Sequence, residues 1–194
     1  PSSRRRRQKY GTSIDGVACA TRPFDFYSYA YIVTLNTYHA RAVRAKARDI
    51  AGGKWKINGP DGPRRDEIES WCRGAFGRVR FQDGLIQAWT DYEALGNGYL
   101  EIVPDREGRP AELCHVPATE VWMRLDGNGF VQQLNGEYSH FRIFGVPEKE
   151  LPADLVKKAD TAILPFVRYM PWSPFYGVPS IMPAWNAVVL MTLV

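Results

Sequence analysis

No stretch of this chain carries the residue spacing of a known catalytic or metal-binding motif. There is no CxxC and no HxxxH, and a metal site needs three or four convergent ligands. Cys114-His115 is the one Cys/His neighbour pair, and on a strand adjacent side chains point to opposite faces. No GxxxxGK[ST] loop is present to cradle phosphates. Gly96-Asn97-Gly98 is too short for a dinucleotide fingerprint. No Ser or Cys is flanked as in a nucleophile elbow. Asp126 lies in a Gly/Asn turn without the acid series of a calcium loop. The acids Asp66, Glu67 and Glu69 open a helix, where the dipole explains them. The residues therefore point to no catalytic group, no metal and no cofactor.

Cysteine is scarce. Cys19, Cys72 and Cys114 are three in number and far apart, which argues against a disulfide framework and for a reducing compartment. No apolar run follows the basic start, so no signal peptide is visible. Charge is absent from Tyr169 to Val194, but Pro171, Pro174, Pro179 and Pro183 interrupt that stretch. Its Pro-free end, Ala184 to Val194, would reach about 16 Å as a helix, half of a bilayer core. A buried helix or a subunit contact is expected there, not a membrane span. The apolar ending has no Gly, Pro or charged cap, which reads as a truncated helix leading into a missing C-terminal portion.

Aromatics are plentiful, with six Trp, ten Tyr and nine Phe among 194 residues. Such content suits a folded chain with large contact surfaces. The net charge is +4, yet Arg4, Arg5, Arg6, Arg7 and Lys9 alone carry five positive charges. The remainder is close to neutral, with one net negative charge. Two readings of the basic run stand side by side: a solvated tail, and a contact with nucleic-acid phosphate through guanidinium forks. Arg41, Arg44 and Arg48 share a helix face, read here as a solvated flank that complements the helix dipole.

Residues 1–22 read as a basic extended arm. Asp25 is a good N-cap, with Phe24 placed to staple against Tyr29. A long helix follows to Ile50, with Tyr31, Leu35, Tyr38, Ala42 and Ala45 as its apolar stripe, ended by Gly52-Gly53. Lys54 to Ile57 is a short strand candidate. Helices are expected over Arg64–Phe76 and Gly84–Leu95, the second ended by Gly96. His39 lies on the long helix as a packed or surface residue. The middle is β-rich: Tyr99–Val103, Ala111–Val116, Val121–Leu125 and Phe130–Leu134 around a hairpin at Asp126–Gly129. A further pair, Ser139–Phe144 and Thr161–Arg168, flanks a short helix near Ala153–Lys158. Helices, then an antiparallel meander, then an apolar helix make an α+β class.

Three stretches, in order, resemble one family. They are Ala45-Lys46-Ala47-Arg48-Asp49-Ile50-Ala51-Gly52-Gly53-Lys54-Trp55-Lys56-Ile57, then Asp91 to Glu101 with the turn Asp105–Pro110, then Ser173-Pro174-Phe175-Tyr176-Gly177-Val178-Pro179. Together they are similar to the tailed-bacteriophage portal protein family, its PBSX-like branch in particular, over roughly residues 23–190. The resemblance implies a portal wing-like α+β domain over 23–179 and the start of a further helix over 180–194. It implies a non-enzymatic subunit of a ring, a dodecamer in that family, at a capsid vertex. It implies a conduit for double-stranded DNA in packaging and ejection. The implied partners are the major capsid protein, the terminase and a head–tail adaptor, in the virion and, during assembly, in the host cytoplasm. The Arg-rich arm is not part of the family pattern. It leaves open the alternative of a nucleic-acid-binding module acting through Arg4–Arg7 and Lys9.

Overall fold

The computed structural model describes residues 11–192. Arg4, Arg5, Arg6, Arg7 and Lys9 lie outside the described residues.

Within the stretch expected to be an extended arm, residues 11–20 fold back on themselves. Strands β1 (Gly11–Ile14) and β2 (Val17–Ala20) pair antiparallel, with Ile14 opposite Val17. The two linking residues, Asp15 and Gly16, have φ of 47° and 72°. Left-handed geometry at both positions matches the right-handed twist of a hairpin. The hairpin docks through a bridge between Cys19 and Arg124 and a 2.8 Å bond from the Leu125 N–H to the Ala18 carbonyl.

The long N-terminal helix is instead two shorter ones, α1 (Phe26–Leu35) and α2 (Thr37–Ala51). Asp25 caps α1 by accepting the Tyr27 N–H at 3.1 Å, and Phe24 and Tyr29 staple with ring centroids 5.6 Å apart. The break is at Asn36. Its backbone is extended (φ −99°, ψ 109°), and its side-chain oxygen accepts the His39 N–H at 2.9 Å. An Asn offers the backbone this alternative to continuing a helix, and here it starts a second one.

The break changes which face is buried. Phe26, Tyr29 and Ile32 of α1 and Val43, Ala47 and Ala51 of α2 face inward. The apolar stripe that marks the helix in the sequence is outside: Tyr31, Leu35, Tyr38, Ala42 and Ala45 are all exposed.

Residues 54–57 form no strand. Trp55 packs instead on Phe81, 5.3 Å between centroids. Helices α3 (Pro63–Gly74) and α4 (Phe81–Leu95) follow, with Pro63 at the first position of α3 and Gly96 closing α4 at φ 75°.

Six strands make one sheet: β3 (Asn97–Pro104), β4 (Pro110–Val116), β5 (Val121–Met123), β6 (Gly129–Leu134), β7 (Glu137–Ile143) and β8 (Thr161–Val167). Their order is β4-β3-β8-β7-β6-β5. The run β5-β6-β7 is the expected meander. The sheet is not wholly antiparallel, however, because β7 and β8 run parallel. Between them lies helix α5 (Ala153–Lys158), and a crossover of this kind returns the chain in the same direction. Strand β8 thereby sits between β7 and β3 and joins the meander to the β3-β4 hairpin.

Both edges of this sheet are covered, which blunts edge pairing. The hairpin lies along β5. At β4, Leu113 N–H donates to the Ala75 carbonyl at 2.7 Å, and the Trp71 indole N–H donates to Ala111 at 3.1 Å. Helix α6 (Trp185–Thr192) returns to the core. Phe26, Tyr29, Ile32 and Val43 meet Leu95, Tyr99, Phe130, Phe141, Ile163, Tyr176 and Val188 in one cluster. Among the described residues no helix is long and apolar enough to cross a membrane.

Candidate functional site

Two of the stretches that carried the family resemblance meet in space, at the junction of α4, β3 and the segment before α6. The Asn97 side-chain oxygen accepts the Gly177 N–H at 2.9 Å, and its amide donates to the Leu95 carbonyl at 2.8 Å. Asn97 is fully buried, and both ends of its amide are satisfied. The backbones on either side of Gly177 are in close contact. A Cβ there would stand 2.1 Å from the Gly96 carbonyl oxygen and 2.6 Å from that of Arg168. Next to it the Tyr176 hydroxyl donates to the Ala20 carbonyl at 3.1 Å and accepts the Met123 N–H at 3.0 Å. Burial pushes that hydroxyl up to about 12, so it stays protonated. These residues hold backbones together and expose no reactive group.

The buried charges are likewise engaged. Glu93 accepts from Arg168 at 2.7 Å and from Ser180 at 2.5 Å, with Lys46 at 3.5 Å. Arg124 is held by Asp126 at 2.8 Å and Asp154 at 3.0 Å, tying the β5-β6 turn to α5. Arg22 donates to the Val121 carbonyl at 2.9 Å with its guanidinium 3.8 Å from the Trp122 ring centre. His115 Nε2 is 2.9 Å from an Asp91 carboxylate oxygen that also accepts the Ala118 N–H. His39 is buried, as a packed residue would be. Burial, with Lys46 nearby, lowers its pKa and favours the neutral ring. Burial raises all three thiols, Cys19 to about 11, so none is poised as a nucleophile at neutral pH. Among the described residues no group of three or more His, Cys, Asp or Glu could hold a metal ion.

An open groove of about 900 Å³ lies between α3 and the β3-β4 turn. Among the residues that line it, Arg109 pairs with Asp105 and with the neighbouring Glu107, and the Trp71 indole donates to Ala111.

The feature that stands out is apolar. Tyr27, Tyr31 and Leu35 recur every four residues and form a row along the outer face of α1. Tyr38 continues it onto α2. They are exposed, Tyr31 by 62% and Tyr38 by 76%. Leu35 and Tyr38 share an open groove of about 540 Å³ with Leu190 and Met191 of α6. Monomers rarely expose so continuous an apolar face, and such faces mark interaction surfaces. Helical periodicity finds this row correctly but cannot say which way it faces. The residue types do carry a hint, because Tyr pairs a wide apolar ring with a water-tolerant hydroxyl.

No family model and no curated protein matches the sequence. Solved structures do match in fold. A chain from the neck of an empty gene transfer agent (GTA) particle, computed with C6 symmetry, superposes with a TM-score of 0.72 at 21% identity, covering 90% of this chain and 45% of that one. A chain from the virion of a native GTA particle gives 0.71 at 18% identity, covering 90% and 44%. A chain from the neck of the native GTA particle, computed with C12 symmetry, gives 0.71 at 17%, again covering 90% and 44%. This chain thus spans less than half the length of those proteins. At this level of identity the likeness is one of fold: nearly the whole chain is built like part of a subunit found in gene transfer agent particles.

Proposed function

We propose that this chain is the N-terminal part of a phage-like portal subunit, a structural protein that assembles into a ring of about twelve copies at a capsid vertex. The observation that carries this reading is the fold shared over 90% of the chain with chains of particle necks and a virion. The motifs around Trp55, Gly96–Glu101 and Tyr176–Gly177 point the same way. In this reading the protein has no catalytic role. It forms a conduit for double-stranded DNA, meets the major capsid protein around its rim, and receives first a terminase and then a head–tail adaptor.

A closed ring needs two different faces of one subunit to meet. The Tyr27–Tyr31–Leu35–Tyr38 row with Leu190 and Met191 suits one of those faces. Aromatic residues are enriched in such contacts, because they bury area at low entropic cost. The near-neutral balance outside the first nine residues suits a channel through which DNA slides, since a strongly basic one would grip it in a salt-sensitive way. Negative-stain electron microscopy and native mass spectrometry of the full-length protein carrying this chain test the reading. Rings of a single size are expected. A protein that stays monomeric or dimeric at high concentration would overturn it.

A further inference from the structure

A second, smaller cleft lies on a different part of the surface, where the segment after α2 meets the end of α3 and the start of α4. Its volume is about 420 Å³, and its walls are Lys54, Trp55, Arg73, Arg80, Phe81 and Gln82. Three of those six side chains are cationic and none is acidic. Trp55 and Phe81 form its aromatic wall, and the Arg73 guanidinium lies 5.8 Å from the centre of the Trp55 ring.

The cations are displayed to solvent. Arg73 and Arg80 have side chains 69% and 80% exposed, and each is steadied by an acid close to it in sequence, Glu69 at 2.5 Å and Asp83 at 2.7 Å. Exposed pairs of this kind are weak. They orient a guanidinium while leaving it able to take a stronger anion. Lys54 has no ion-pair partner among the described residues. More exposed cations flank the cleft in sequence: Arg41, Arg44 and Arg48 on α2 before it, with Lys56 and Arg78 on the neighbouring loops.

We propose that this cleft binds a nucleic-acid strand. Lys54, Arg73 and Arg80 hold backbone phosphates, and an unstacked base lies against Trp55 and Phe81. The two kinds of group serve the two parts of a nucleotide. Guanidinium forks and an ammonium suit phosphate oxygens, while an aromatic wall stacks any base without reading its identity. An acidic peptide would use the cations and leave the rings idle. None of these residues belongs to the apolar row, so this site and the assembly reading fail independently.

Fluorescence anisotropy of a labelled oligothymidylate of about 20 nucleotides, titrated with the intact protein, tests the site. With three phosphates engaged, affinity should fall about twenty-fold between about 50 and 200 mM salt. Lys54→Gln, at an exposed side chain, should weaken binding and lower the salt slope by about 0.7. Trp55→Leu should weaken binding about five-fold or more and leave the salt slope unchanged. Replacing Arg4–Arg7 and Lys9 by Gln should preserve the effect of Lys54→Gln. The proposal is overturned if Lys54→Gln and Arg80→Gln bind as the parent does. It is also overturned if all binding disappears with the replaced N-terminal cations. Displacement of the oligonucleotide by polyglutamate as readily as by unlabelled strand would overturn it in favour of an acidic peptide. So would duplex binding that is indifferent to Trp55→Leu, which removes the stacked base from the site.

Discussion

The hydroxyl of Tyr176 donates to the backbone carbonyl of Ala20 at 3.1 Å, across 156 residues of chain. The same oxygen accepts the Met123 N–H at 3.0 Å. One side chain near the end of the described chain therefore locks the N-terminal hairpin to strand β5. Tyr99 offers an internal contrast. Its ring is fully buried, 5.3 Å from that of Phe130, and its hydroxyl has no hydrogen-bond partner among the described residues. Tyr176→Phe should cost about 1–3 kcal/mol, because it removes the partner of a buried carbonyl and of a partly buried N–H. Tyr99→Phe should be neutral or stabilising, because it removes an unsatisfied polar group. Urea denaturation midpoints of the two variants check this, and equal losses would contradict it.

Gly177 sits where three backbones converge. Gly177→Ala forces a Cβ to within 2.1 Å of the Gly96 carbonyl oxygen. Backbone cannot yield as a side-chain tip can, so a loss on the order of 3 kcal/mol is expected. Gly53→Ala, with open space around its Cβ, should change stability by only about 0.5 kcal/mol. Thermal melts of both variants separate close approach from glycine content as the cause.

Acid should act in two steps. The His39 pKa is lowered by burial from its ordinary 6.5. Its contribution is present above that value and is lost as pH falls through the lower, folded-state value. The Asp15 pKa is lowered from 3.8, first by the hydrogen bond from Lys158 and then by that from His140. Its contribution is present above 3.8 and lost as pH falls further. Urea midpoints measured from pH 8 to 3 should decline twice. His39→Gln should flatten the first decline and Asp15→Asn should reduce the second.

The exposed row predicts an effect on assembly without one on folding. Tyr38 is 76% exposed, so Tyr38→Asp should leave the melting temperature nearly unchanged, within the ~0.5 kcal/mol usual for surface sites. With Tyr31→Asp added, the concentration required for ring formation should rise at least ten-fold. Analytical ultracentrifugation of the full-length protein reads this directly. Unchanged assembly would remove the row from the interface.

Glu93 tests the buried network. Glu93→Ala strands Arg168 beside a hydrophobic core and should cost about 3–5 kcal/mol. Lys46→Ala, at a side chain 55% exposed and 3.5 Å from the carboxylate, should cost under about 1 kcal/mol. Denaturant titration distinguishes the two.

Local signals were legible from the chain alone. Asp25 caps where an N-cap was expected, Phe24 staples to Tyr29, Gly96 closes α4, and the helix over Ala153–Lys158 is where it was read. Each depends on residues within a few positions of one another. The Asp15-Gly16 turn is equally local, but the neighbouring arginines give the whole N-terminus the composition of a tail. The cap at Asn36 is local as well, but an unbroken apolar period runs across it and conceals it. The resemblance to portal proteins rested on residues that the structure shows clasping backbone, at Asn97, Tyr176 and Gly177.

What the chain determined by itself, then, was the kind and rough position of most elements, because capping, turn chemistry and periodicity act over a few residues. Tertiary structure decided three things that no local pattern holds. It turned the Tyr31–Leu35–Tyr38 stripe outward, because the break at Asn36 and the packing of Ile32 and Val43 chose the opposite face. It set β8 parallel to β7, because α5 carries the chain back across the sheet. It brought Lys54, Trp55, Arg73 and Arg80 around one cleft, because α3 and α4 fold against the segment that leaves α2. Direction, pairing and convergence depend on contacts between distant residues, and those exist only once the chain has packed.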